Sequence, residues 1–200
     1  MTSTREHAAL VELISWIDEN TSGLTFPADE RSMLAAGCFD IALEHQAAIA
    51  LLFSSGLYGS MLSLLRILTE SLVRGLWLLH CATGTELSRF KNGRVDKNFG
   101  ELVTEVEAKI GATTGTLSDL QTNAWKAMNG FTHTGFIQVS RRHGEGTVGA
   151  NYPELEIKQA LSIAGALGLV AAGQLAGMSN RPELLEAATQ RGKEYANRAL

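Results

Sequence analysis

From Gln159 to Asn180 the chain carries not one charged side chain, although Glu154, Glu156 and Lys158 stand just before this run and Arg181 and Glu183 just after it. So long an uncharged stretch must hide most of its surface from water, which dictates a helix with other elements wrapped around it. The run also meets the crude length criterion for a membrane span, and Gly173 and Gly177 set small residues four apart within it. A span is rejected because Ala, Gly, Ser and Gln dilute the hydrophobicity. The expectation is a central core or homodimer helix and no membrane partner.

The remaining sequence supplies helices to surround it. Only three prolines occur in 200 residues, and 45% of the chain is hydrophobic against 19% charged. The usual helix breaker is nearly absent, and one core is expected for a chain of this length. Leu10, Leu13, Ile14 and Ile17 recur at helical spacing over residues 4–20. Pro27, Asp29 and Glu30 mark the start of a second helix, since proline and carboxylates suit a first turn. That helix runs to about Ser54, with Leu34, Cys38, Ile41, His45, Ala48 and Leu52 forming a heptad-like seam. A third spans Tyr58 to Ala82, and further apolar patterns follow at 99–110, 117–131, 153–180 and 182–199. The predicted fold is an all-α, up-and-down bundle of six to seven helices in a single domain, 1–200. Gly135, Gly144, Gly146 and Gly149 interrupt the helical pattern and predict a short β-hairpin near 136–150.

Charge and motifs narrow the chemistry. A net charge of −4 gives no global attraction to nucleic acid, so RNA binding would need a local basic patch. Arg89, Lys91, Arg94 and Lys97 offer one. Cys38 and Cys81 fall within helical patterns and read as buried thiols in a reducing compartment, without a disulfide. The first seven residues contain no apolar leader, which predicts a cytoplasmic location. Walker, HExxH, CxxC and GxSxG motifs are absent, as is a glycine fingerprint following a strand. Asp40, Glu44, His45, Glu70, His80 and His133 do not form the Glu-x-x-His pairs of di-iron bundles, so neither metal nor cofactor is expected.

The best candidate site is the stretch Ala124 to Gly135. Continued as a helix, it sets Lys126, Asn129 and His133 on one stripe, a cation, an amide and an imidazole together. Arg66, Glu70 and Arg74, the charges of the apolar third helix, lie at successive i+4 positions. They read either as a solvated stripe or as a partly buried ion network, which would mark a binding site. His45 reads either as a core histidine or as a functional imidazole. Arg141 and Arg142 complete the candidate binding residues.

The segment Met128-Asn-Gly-Phe-Thr-His133 resembles the Arg-polar-x-x-x-His signature of HEPN-type domains. Glu44-His45 and Leu65-Arg-Ile-Leu-Thr-Glu-Ser71 also resemble bacterial families related to that superfamily, and the resemblance spans Pro27 to Arg142. It implies a homodimeric helical bundle, often from antiphage or toxin–antitoxin systems, in which paired motifs cut RNA without metal. Histidine and arginine there assist attack of a ribose 2′-OH on the adjacent phosphate. Carried over, His133 takes the catalytic histidine position and Asn129 the polar position, while Met128 stands where arginine belongs. A thioether cannot stabilise developing phosphorane charge. The expected function is therefore a catalytically degenerate module that binds a protein or ligand. The alternative is a metal-independent ribonuclease or RNA-binding effector using His133, with Lys126, Arg74 or Arg141 replacing the missing cation.

Overall fold

The computed structural model describes residues 3–94, 97–111, 115–144 and 146–199. Its elements in chain order are α1 (Ser3–Thr21), α2 (Glu30–Ser54), α3 (Tyr58–His80), α4 (Gly84–Lys91) and α5 (Phe99–Ile110). There follow α6 (Thr116–Asn123), α7 (Trp125–Thr132), α8 (Phe136–Ser140), β1 (His143–Gly144), β2 (Thr147–Val148), α9 (Glu154–Met178) and α10 (Pro182–Ala199). The described fold is all-α apart from one antiparallel hairpin, in which His143 pairs with Val148 and Gly144 with Thr147.

The helix ends follow from local chemistry. Asp29 caps α2 by accepting from the Ser32 backbone N–H at 3.0 Å. Thr83 and Asn98 form reciprocal capping boxes with Glu86 and Glu101 at the starts of α4 and α5. Arg31, in the first turn of α2, donates to the carbonyls of Leu78 at 2.5 Å and Ala82 at 2.6 Å. Otherwise orphaned acceptors at the end of α3 are thereby satisfied, and α3 is locked antiparallel to α2.

Ten helices are described where six to seven were expected. One addition is α4, whose short polar sequence carries little apolar periodicity. A second arises because the pattern at 117–131 breaks at Ala124: α6 packs on α5, whereas α7 packs on α3. The third is α8, which occupies the first part of the segment expected as a hairpin and leaves only residues 143–148 to the strands.

The buried face of α2 is centred one residue away from the predicted seam, of which Cys38 is buried and Leu34 and Leu52 pack against the core. Ala35, Phe39, Ala42, Gln46 and Ile49 are buried, while Ile41 is 45% exposed and His45 only half-buried. Phe39 sits where a Cβ on Gly75 would lie 2.6 Å from its ring, so α3 can approach only because residue 75 lacks a side chain. The Gln46 amide lies against Gly168 in the same way and donates to the Ala164 carbonyl of α9 at 3.1 Å. Thus α2 is held between α3 and α9.

The uncharged run forms most of α9, which packs against α1, α2, α3 and α10. Among the described residues, α2 and α9 are both long and apolar enough to cross a membrane; in α9 most of that stretch is buried inside the fold. The main core runs from Leu10 through Phe39, Leu68, Leu72 and Val103 to Leu161 and Leu175.

Candidate functional site

The N-terminal half of α3 presents Gly59, Ser63, Arg66 and Glu70 along one side, and α7 docks across it. Ser63 Oγ donates to the Phe131 carbonyl at 2.9 Å, and Thr132 Oγ1 donates to the Ser63 carbonyl at 3.2 Å. Met128 and Phe131 supply the buried apolar contacts of α7. Met128 is 3% exposed and accepts a long contact from the buried Thr69 hydroxyl. The residue standing at the motif's arginine position is thus part of the core, where a guanidinium would be buried.

A cation reaches the histidine from another helix. His133 caps the end of α7 and is exposed, and Arg66 Nη1 donates to its Nε2. A guanidinium can only donate, so Nε2 of the imidazole is the acceptor in this contact. Glu70 fixes the other side of Arg66, accepting from Nε at 3.1 Å and Nη2 at 2.9 Å through Oε1. The guanidinium also lies 5.2 Å from the centroid of the Trp125 ring, which stacks on Phe99 at 3.7 Å. Arg66 and Glu70 side chains are only 21% and 28% exposed, so the pair is screened less than an ordinary surface bridge. Arg66 nevertheless keeps donors to spare, because its five N–H groups exceed the bonds it makes here.

The other candidate residues scatter around this cluster. Lys126 is exposed on α7 and makes no hydrogen bond or ion pair with a described residue. The Asn129 side-chain oxygen is buried next to the site without a hydrogen-bond partner. Arg74 departs from the expected network: Glu70 pairs with Arg66, and Arg74 lies near Cys38 with its Nε buried and unpartnered. Burial pushes the Cys38 thiol up, and the charge of Arg74 opposes that shift. Arg141 is committed to structure, since it grips Glu156 of α9 through both Nε and Nη2. Arg142 is exposed and lies 5.6 Å from the Tyr152 ring. His45 makes no hydrogen bond with a described residue and takes no part in the cluster.

The basic segment 89–97 is partly neutralised. Lys91 pairs with Glu30 at 2.5 Å, and Lys97 bridges Glu86 and Glu105 at 2.6 Å each. Among the described residues no group of three or more His, Cys, Asp or Glu could hold a metal ion. An apolar cavity of about 710 Å³ opens between α9 and α10, lined by Ile163, Leu169, Val170, Leu185 and Tyr195 among others. Among the described residues no charged side chain lines it, so it offers no charge to a phosphate.

Sequence spacing revealed the Arg66–Glu70 pair and singled out His133, but not that they meet. Trp125, which underlies Arg66, carried no signal apart from its place beside the predicted stripe. A family model described as "Family of unknown function (DUF6988)" matches residues 39–199. No curated protein and no solved structure matches.

Proposed function

The chain belongs to this family of unknown function, DUF6988, and we propose that it is a HEPN-like, homodimeric, cytoplasmic helical module that binds RNA at the Arg66–His133 pair. The observation that carries this is the contact between Arg66 and an exposed imidazole, with Glu70 and Trp125 holding the guanidinium from behind. An incoming phosphate oxygen accepts from Nη1 in place of His133, and the released imidazole contributes a second polar contact. Charge-assisted bonds of this kind are the strong ones, worth about 1.5–3 kcal/mol each.

The same contact favours a second reading, metal-independent cleavage. Arg66 fills from α3 the role that Met128 cannot fill from α7. His133 Nε2, once released, takes the proton of a ribose 2′-OH as its oxygen attacks the adjacent phosphorus. The bond to the 5′-oxygen then breaks, and the protonated imidazole returns a proton to that leaving oxygen. Arg66 neutralises charge on the phosphorane, a type of contribution commonly worth a few kcal/mol.

The test is RNA binding by fluorescence anisotropy at two salt concentrations, with parallel gel assays of cleavage, for the wild type, Arg66→Ala, Arg66→Lys and His133→Ala. Salt-sensitive binding that weakens roughly tenfold or more in both Arg66 variants is expected, since lysine cannot reproduce the fork held by Glu70. Binding without cleavage supports the first reading, and cleavage lost in His133→Ala supports the second. A wild type that neither binds nor cuts RNA refutes both.

A further inference from the structure

Beside the Arg66–His133 pair, the chain displays a large aromatic ring to solvent on a helix that is otherwise pinned down. Phe136, at the start of α8, is 86% exposed. Its neighbour Ile137 turns inward, where a Cβ on Gly130 would lie 2.4 Å from Ile137 Cγ2. Gln138 Nε2 donates to Ser63 Oγ at 3.4 Å, and the Gly135 N–H donates to the Gly130 carbonyl at 2.7 Å. Between His133 and Gly135 the backbone reverses through Thr134 at φ 52°. These contacts anchor α8 to α7 and α3, so Phe136 is held outward by the fold. Two residues separate it from His133, and three Cα–Cα steps span at most about 11 Å.

The charge of the sequence on either side of Phe136 runs opposite to that of the whole chain. Between Lys126 and Tyr152 the sequence has three cations, Lys126, Arg141 and Arg142, against one acid, Glu145, in a protein of net charge −4. Arg141 is neutralised by Glu156, but Lys126 and Arg142 are exposed, as is His143. An exposed aromatic ring among cations is the arrangement by which unpaired bases are held: the base stacks, while the backbone follows the positive groups. A protein partner at Phe136 would gain from an uncharged surround, whereas the exposed Arg142 and His143 follow Phe136 and Val139 on the same segment.

Resting on the RNA-binding reading, we infer that Phe136 is a stacking platform for an unpaired base, and that the substrate class is single-stranded RNA with one phosphate at Arg66–His133. A duplex keeps its bases stacked on each other, so it cannot use this contact.

The experiment compares binding of an unstructured single-stranded RNA and a duplex of the same length to the wild type, Phe136→Ala, Phe136→Trp and Arg66→Ala, with oligomeric state followed by sedimentation. Single-strand preference is expected in the wild type. Phe136→Ala should weaken single-strand binding by about 5-fold to 100-fold, the range for one lost base stack, and Phe136→Trp should retain it. As the side chain is exposed, folding of these variants should be undisturbed, and circular dichroism checks this. If Arg66→Ala loses binding but Phe136→Ala does not, the RNA-binding reading stands and the stacking role is overturned. Equal affinity for duplex, or a changed oligomeric state in Phe136→Ala with RNA affinity intact, also overturns it; the latter assigns the ring to a contact between copies. Absence of wild-type RNA binding overturns this inference together with the reading beneath it.

Discussion

At the scale of single residues, two side chains separated by most of the fold's middle decide the site. Arg66 and His133 are distant in sequence, and each has an ordinary local explanation: an i, i+4 ion pair for one, a helix end for the other. Their meeting depends on how α7 crosses α3, which no local pattern encodes. The glycines behave similarly. Gly168 looks like a weak point in a helix, yet a Cβ there would lie 2.0 Å from Gln46 Nε2, with both residues buried. Gly168→Ala should therefore destabilise the fold by about 1–3 kcal/mol, despite alanine's better helix propensity, because the Gln46 amide must leave its bond to Ala164. A lowered urea midpoint at unchanged slope is the expected measurement; an unchanged or raised midpoint would show that the glycine is not needed for contact.

For whole helices, the existence of each long element was legible and the buried face was not always so. α1, α3 and α9 lie where apolar spacing put them, and Asp29 starts α2 as its chemistry predicts. In α2, however, the seams 34-38-41-45-48-52 and 35-39-42-46-49 have the same spacing, and apolar residues fill most of both. Periodicity alone cannot separate two adjacent stripes when apolar residues surround the helix. Packing separates them, because Phe39 fits over Gly75 and Gln46 over Gly168. The two faces should differ sharply in mutational cost. Phe39→Ala is expected to lose roughly 3–5 kcal/mol and Ile41→Ala under about 1 kcal/mol, measured by equilibrium denaturation. Comparable losses at both positions would restore the heptad seam. The break at Ala124 was invisible for the same reason, since its cause is that α6 and α7 pack on different helices.

Across the molecule, a polar cluster ties α3, α4 and α5 together. Lys97 bridges Glu86 and Glu105, and the Trp77 indole N–H donates to Glu105 at 2.8 Å. The hydrogen bond from Lys97, reinforced by the Thr83 backbone, lowers the Glu86 carboxyl to about 2 from an ordinary 4.5. A folded-state value below the unfolded one means that this stabilisation is complete above pH 4.5 and disappears as the pH falls towards about 2. Thermal melts should show the midpoint falling through that window, and Glu86→Gln should make the fall shallower. An identical pH profile in the variant would remove Glu86 from the account. By itself the sequence determined what is settled within a few turns of chain: a helical class, the long helices, the start of α2 at Asp29, and His133 as a residue worth testing. Hydrophobic spacing and capping act over three to seven residues, which is why they can be read there. Tertiary structure alone decided which stripe of α2 is buried, that Arg141 is committed to Glu156, and that Arg66, not a neighbour on α7, is the cation beside the imidazole. Each is a contact across helices, whose free energy depends on crossing geometry and burial, and neither quantity exists until the chain has packed.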